Sequence, residues 1–78
     1  MVEIILPELG DNIKNATVSY WYFKPGDKVN KGEDLVELTT DKATFNLPSP
    51  SSGVLSDIKA REGEIVNVGS SLGIIKES

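Results

Sequence analysis

Gly26-Asp27-Lys28-Val29-Asn30-Lys31-Gly32-Glu33-Asp34-Leu35 and Gly63-Glu64-Ile65-Val66-Asn67-Val68-Gly69-Ser70-Ser71-Leu72 are one phrase written twice, 37 residues apart. Both glycines, the Val-Asn pair and the closing leucine coincide. The match extends back through Trp21 over Ile58, Ser19 over Ser56 and Val18 over Leu55, and forward to Leu38 over Ile75. Such a repeat implies one supersecondary unit present in two copies that bury their apolar faces on each other. The first apolar segment joins at a different offset. Val2 to Pro7 lies over Ala43 to Pro48, 41 residues on, so the loop Glu8 to Asn15 is expected to hold a four-residue insertion relative to Ser49 to Ser52.

Turn residues punctuate the whole chain: Pro7, Gly10, Pro25-Gly26, Gly32, Pro48, Pro50, Gly53, Gly63 and Gly69. The segments between them are short and rich in Val, Ile, Leu, Thr and aromatic residues. They read as strands, with no apolar 3.6-residue period long enough for a helix. The expected fold is all-β, a flattened barrel or sandwich of two pseudo-twofold related four-stranded sheets, formed by a single domain over residues 1–78. The repeat also sorts the aromatic residues. Trp21 and Phe23 lie over Ile58 and Ala60 and are assigned to the core, whereas Tyr20 and Tyr22 lie over Asp57 and Lys59 and are assigned to the outer face.

Composition narrows the chemistry. Seventy-eight residues without cysteine or histidine rule out disulfides and Cys/His metal centres, and remove the usual neutral-pH base and thiol nucleophile. The carboxylates Glu33-Asp34 and Glu62/Glu64 sit beside turn glycines, as solvated loop residues do. Lys24-Pro25-Gly26-Asp27 and Val68-Gly69-Ser70-Ser71 lack the spacing of a phosphate-binding loop. An enzyme is therefore not expected. Net charge is −4, from twelve acidic and eight basic residues without a basic stripe, which argues against nucleic acid. The longest run of aliphatic residues, Ile4-Ile5-Leu6, is far too short to span a membrane or serve as a signal segment. The expectation is a monomer in the cytoplasm of a bacterium or archaeon, with the mitochondrial matrix as second choice.

The chemistry centres on one hairpin. With Asp41-Lys42 as a two-residue turn, Thr40 pairs with Ala43, Leu38 with Phe45 and Val36 with Leu47 on one face, and Thr39 with Thr44 and Glu37 with Asn46 on the other. A two-residue slip would preserve that alternation; Asp as a turn residue tolerant of positive φ favours Asp41-Lys42. The repeat places the counterpart of Lys42 where the chain termini meet. Lys42 should therefore stand alone on a protruding tip, at the opposite end of the domain from the termini.

Thr40-Asp41-Lys42-Ala43, followed by Pro48-Ser49-Pro50-Ser51-Ser52-Gly53, resembles the lipoyl branch of the biotinyl/lipoyl carrier family. So do the opening Leu6-Pro7-Glu8-Leu9-Gly10 and Pro25-Gly26-Asp27-Lys28-Val29. The resemblance covers the whole chain and is nearest to the N-terminal lipoyl domain of a dihydrolipoyl acyltransferase of a 2-oxo acid dehydrogenase complex. One departure is Thr39-Thr40, where lipoyl domains often carry a Glu. The resemblance implies lipoate attached covalently, as an amide, to Lys42. It implies reductive acylation by a thiamine-dependent 2-oxo acid decarboxylase, acyl delivery to coenzyme A at the acyltransferase catalytic core, and reoxidation by dihydrolipoyl dehydrogenase. A lipoate ligase or lipoyl transferase would install the group. Recognition is implied at Thr40, Asp41 and Ala43 around the lysine, and at Glu8, Leu9, Gly10, Asp11, Asn12, Ile13, Lys14 and Asn15 in the long loop. Two alternatives stand beside this reading: a biotin carboxyl carrier, whose flanking methionines are missing here, and an unmodified structural hammerhead.

Overall fold

The computed structural model describes residues 1–77, and among them the chain forms strands and turns without a helix. The strands are β1 (Val2–Ile5), β2 (Asn15–Trp21), β3 (Lys28–Val29), β4 (Asp34–Thr39), β5 (Thr44–Pro48), β6 (Gly53–Ile58), β7 (Ile65–Asn67) and β8 (Ser71–Lys76). They assemble into two separate four-stranded sheets, ordered β1-β8-β6-β3 and β5-β4-β2-β7, with antiparallel pairing throughout. Both sheets keep free edges, so the molecule is a sandwich and not a closed barrel. Replacing each strand by its partner four places away in the chain turns one order into the other. The pseudo-twofold thus maps sheet onto sheet, while each half of the chain contributes two strands to both.

Interleaving ties the two halves to each other through backbone hydrogen bonds. Gly26 N–H donates to the Leu55 carbonyl at 2.7 Å, and its counterpart Gly63 N–H donates to the Val18 carbonyl at 2.7 Å. The repeated glycines hold turns that need them. Asp27 N–H bonds Lys24 C=O and Glu64 N–H bonds Arg61 C=O, each at 3.0 Å. Gly26 and Gly63, at the third positions of these turns, have φ of 99° and 93°. That is the type II arrangement, which excludes most side chains from this position. Gly32 and Gly69 repeat it at 91° each. Carboxylates at the fourth position close three of the turns: Asp27, Glu33 and Glu64 accept from the N–H of Lys24, Asn30 and Arg61, all at 2.8 Å.

The bulges repeat as well. Register shifts between Val18 and Tyr20 and between Leu55 and Asp57, leaving Ser19 and its counterpart Ser56 as the extra residues. It shifts again around Leu35 and Leu72, which both turn fully inward. The core is the apolar set common to the two copies: Val18 and Leu55, Leu35 and Leu72, Leu38 and Ile75, with Ile4, Leu6, Val29 and Val36 around them. Trp21 is buried and donates its indole N–H to Ala60 C=O at 2.8 Å, joining the halves. Tyr20 and Tyr22 lie outside as expected, 52% and 43% exposed. Phe23, expected in the core, is only half buried and packs on the core's margin.

The ladders correct one alignment. Val2 pairs with Ile75 as Phe45 pairs with Leu38, and Glu3 pairs with Ile74 as Asn46 pairs with Glu37. Leu6 N–H bonds Ser70 C=O as Ser49 N–H bonds Glu33 C=O. β1 therefore matches β5 at an offset of 43, not 41, and Leu6 is the counterpart of the buried Ser49. The insertion between Pro7 and Ala16 is six residues, not four. A two-residue slip keeps every side chain on its face, so alternation could not separate the two alignments.

Candidate functional site

The hairpin β4–β5 has the expected register: Val36 opposite Leu47, Glu37 opposite Asn46, Leu38 opposite Phe45 and Thr39 opposite Thr44. Thr40 N–H donates to Ala43 C=O at 2.8 Å, so Asp41 and Lys42 alone form the tip, and Asp41, Lys42 and Ala43 are all exposed. The expected cause differs. Among the described residues Asn12 is the only non-glycine with positive φ, so Asp41 does not adopt the left-handed conformation anticipated for it. The Thr40 side chain organises the turn instead. Its hydroxyl donates to Ala43 C=O at 3.0 Å and accepts from the N–H groups of Lys42 at 3.2 Å and Ala43 at 3.1 Å. Serine and threonine satisfy turn backbones in this way.

The long loop comes to the same end of the molecule. Lys14 C=O accepts from Val68 N–H at 2.9 Å, and Ala16 and Thr17 enter β2 beside the end of β4, where Thr17 pairs with Thr39. A groove of about 470 Å³ lies between loop and tip, with Asn12, Ile13, Lys14 and Asn15 on one side and Thr39, Thr40 and Asp41 on the other, over Thr17. Asn12 holds φ of 66°, a left-handed value asparagine tolerates. Glu8, Leu9, Gly10 and Asp11 do not line this groove. Leu9 is half buried against the core, and Gly10 C=O accepts from Ile13 N–H at 3.3 Å. Thr17 has no signal in the sequence as a groove residue, and Thr39 stands out there only as a departure from the lipoyl pattern; its hydroxyl pairs with that of Ser19.

The C-terminal strand closes at the other end. β5 runs from Thr44 to Pro48 away from the tip, and just beyond it Ser51 donates its hydroxyl to the Glu77 carboxylate at 2.7 Å. Lys42 is thereby set at the end remote from Glu77. What the arrangement offers chemically is an exposed primary amine at the tip of a pinned two-residue hairpin turn, whose Thr40 and Asp41 border a polar groove.

The biotin/lipoyl family model, described as biotin-requiring enzyme, matches residues 2–75. The chain is 43% identical over 77 residues to the dihydrolipoyllysine-residue succinyltransferase component of the 2-oxoglutarate dehydrogenase complex of Bacillus subtilis, covering 99% of this chain and 18% of that protein. It is 45% identical over 69 residues to the dihydrolipoyllysine-residue acetyltransferase component of the pyruvate dehydrogenase complex of Acholeplasma laidlawii, covering 88% of this chain and 13% of that protein. The solution structure of the lipoyl domain of the 2-oxoglutarate dehydrogenase complex from Azotobacter vinelandii superimposes with a TM-score of 0.80 at 32% identity, over 99% of this chain and 98% of that one. The chain thus spans less than a fifth of the length of these curated relatives.

Proposed function

The chain belongs to the lipoyl branch of the biotinyl/lipoyl carrier family, and from that premise we propose that it is a swinging-arm carrier with lipoate joined as an amide to Lys42. The observation that carries this is the symmetry-breaking tip: an exposed lysine on a two-residue turn that the other half does not repeat. The residues fit the group. Lys42 is exposed, its turn is fixed through backbone and Thr40 contacts, and the neighbouring Thr40 and Asp41 border a groove. Amide formation removes the lysine charge and leaves a long rotatable arm. When bound, the lipoyl group supplies a cyclic disulfide able to take up an acyl group reductively and release it to coenzyme A.

The domain's own contribution is presentation. Tethering makes encounters with successive enzymes nearly intramolecular, at effective concentrations of order mM. The enzymes proposed as partners are a thiamine-dependent 2-oxo acid decarboxylase, the acyltransferase core of the same complex and dihydrolipoyl dehydrogenase, with a lipoate ligase or lipoyl transferase acting first. Asn12 to Asn15 share a groove with Thr40 and Asp41, which supports a division of labour. The ligase reads the turn, and the decarboxylase reads the turn together with the loop. Deleting Gly10 to Ile13 should then leave lipoylation at its normal rate and slow acylation by the decarboxylase. Measuring both rates on the same folded variant tests this. Equal retention of both returns the loop to scaffolding, and a Lys42→Ala domain that still acquires lipoate defeats the carrier reading itself.

A further inference from the structure

We infer that Thr40 is a positioning residue for the modification of Lys42: its hydroxyl, and not the residues of the turn, holds the lysine in the geometry a ligase must meet. The inference rests on the reading of Lys42 as the lipoylated residue and adds the group that prepares it. Two-residue hairpin loops ordinarily match the strand twist through residues with positive φ, and neither Asp41 nor Lys42 has one. One side chain does the closing here. Thr40 Oγ1 takes the N–H of Lys42 at 3.2 Å and of Ala43 at 3.1 Å, and gives its own proton to Ala43 C=O at 3.0 Å. That carbonyl also receives Thr40 N–H at 2.8 Å. The hydroxyl thus bridges the turn, and the backbone of Lys42 is tied while the residue itself stays exposed.

The modification needs that order. The Lys42 amine attacks the carboxyl carbon of lipoate activated as its adenylate by ATP; a C–N bond forms, the acyl–phosphate bond breaks, AMP leaves with the electron pair and the nitrogen releases a proton. A ligase that binds only the ordered turn sees an apparent affinity reduced by whatever fraction of the turn is disordered. The two amides lose their protein acceptor in Thr40→Val, which keeps the β-branched shape, and keep it in Thr40→Ser. Both amides are exposed and water replaces the lost bond, so stability changes little while the turn loosens.

The test compares wild type, Thr40→Val and Thr40→Ser as substrates of a lipoate ligase supplied with lipoate and ATP, alongside melting temperature and amide hydrogen exchange at Lys42 and Ala43. The expected result is a KM for the Val variant raised about tenfold with kcat little changed. Exchange should be faster at those two amides, melting unchanged, and all values restored by serine. A Val variant modified at the wild-type KM overturns the inference. So does a serine variant that fails like valine, or a loss that follows the melting temperature. If wild type itself takes no lipoate, the carrier reading falls and this inference with it.

Discussion

The connections Pro7 to Ala16 and Pro50 to Gly53 occupy equivalent places in the two halves and are built in opposite ways. The second is short and packed: Ser49 is buried, its hydroxyl donates to Ser51 C=O at 2.7 Å, and Ser51 in turn holds Glu77. The first carries six further residues, mostly exposed, which border a groove beside Lys42. The same asymmetry separates the hairpin tip from the equivalent end of the β1–β8 pair, where Val2 faces Ile75 and no two-residue turn joins the strands. A near-symmetric scaffold supplies rigidity through its repeated parts, and the features proposed to act lie where the repetition stops.

The comparison breaks most severely at the seam between halves. Trp21→Ala removes a buried ring and the bond to Ala60, and should cost about 3–5 kcal/mol in urea unfolding, enough to unfold a domain this small. Tyr20→Ala, on the outer face, should cost under about 1 kcal/mol. Comparable losses for the two would refute the assignment of faces. Next in size are the turn glycines. A Cβ at Gly26 or Gly63 meets nothing within 4 Å, so the penalty for alanine is purely conformational. It should be about 1–2 kcal/mol at both positions. Unequal penalties would show that the halves are not mechanically equivalent. Smaller still is the loop: deletion of Gly10 to Ile13 should change unfolding free energy by less than about 1 kcal/mol, since closure entropy varies slowly with length.

Much of this was legible in the sequence, and the misses share a cause. The 37-residue offset placed the turns because type II glycines recur for a steric reason, and the hairpin register followed from Leu38, Phe45, Val36 and Leu47 facing one way. The β1–β5 alignment went wrong by two because a period-two pattern is blind to that slip, and because a serine stands where Leu6 stands in the first copy. The bulges at Ser19 and Leu35 were invisible for a related reason, since ladder irregularities leave no compositional mark. Thr40 lay in plain view beside the lysine, but its hydrogen bonds depend on turn geometry that residue types alone do not specify.

Lys42→Ala is the smallest perturbation of stability and the largest of function. An exposed turn lysine buries almost nothing, so unfolding should shift by no more than about 0.5 kcal/mol. The central claim is that presentation at the unrepeated tip selects one of the chain's seven lysines, and peptide mapping after reaction with a lipoate ligase, lipoate and ATP tests it directly. The predicted result is one lipoyl group per chain, on Lys42 alone, with none on the Lys42→Ala variant. Lipoate spread over Lys28, Lys31 or Lys59, or absent from Lys42, would contradict it.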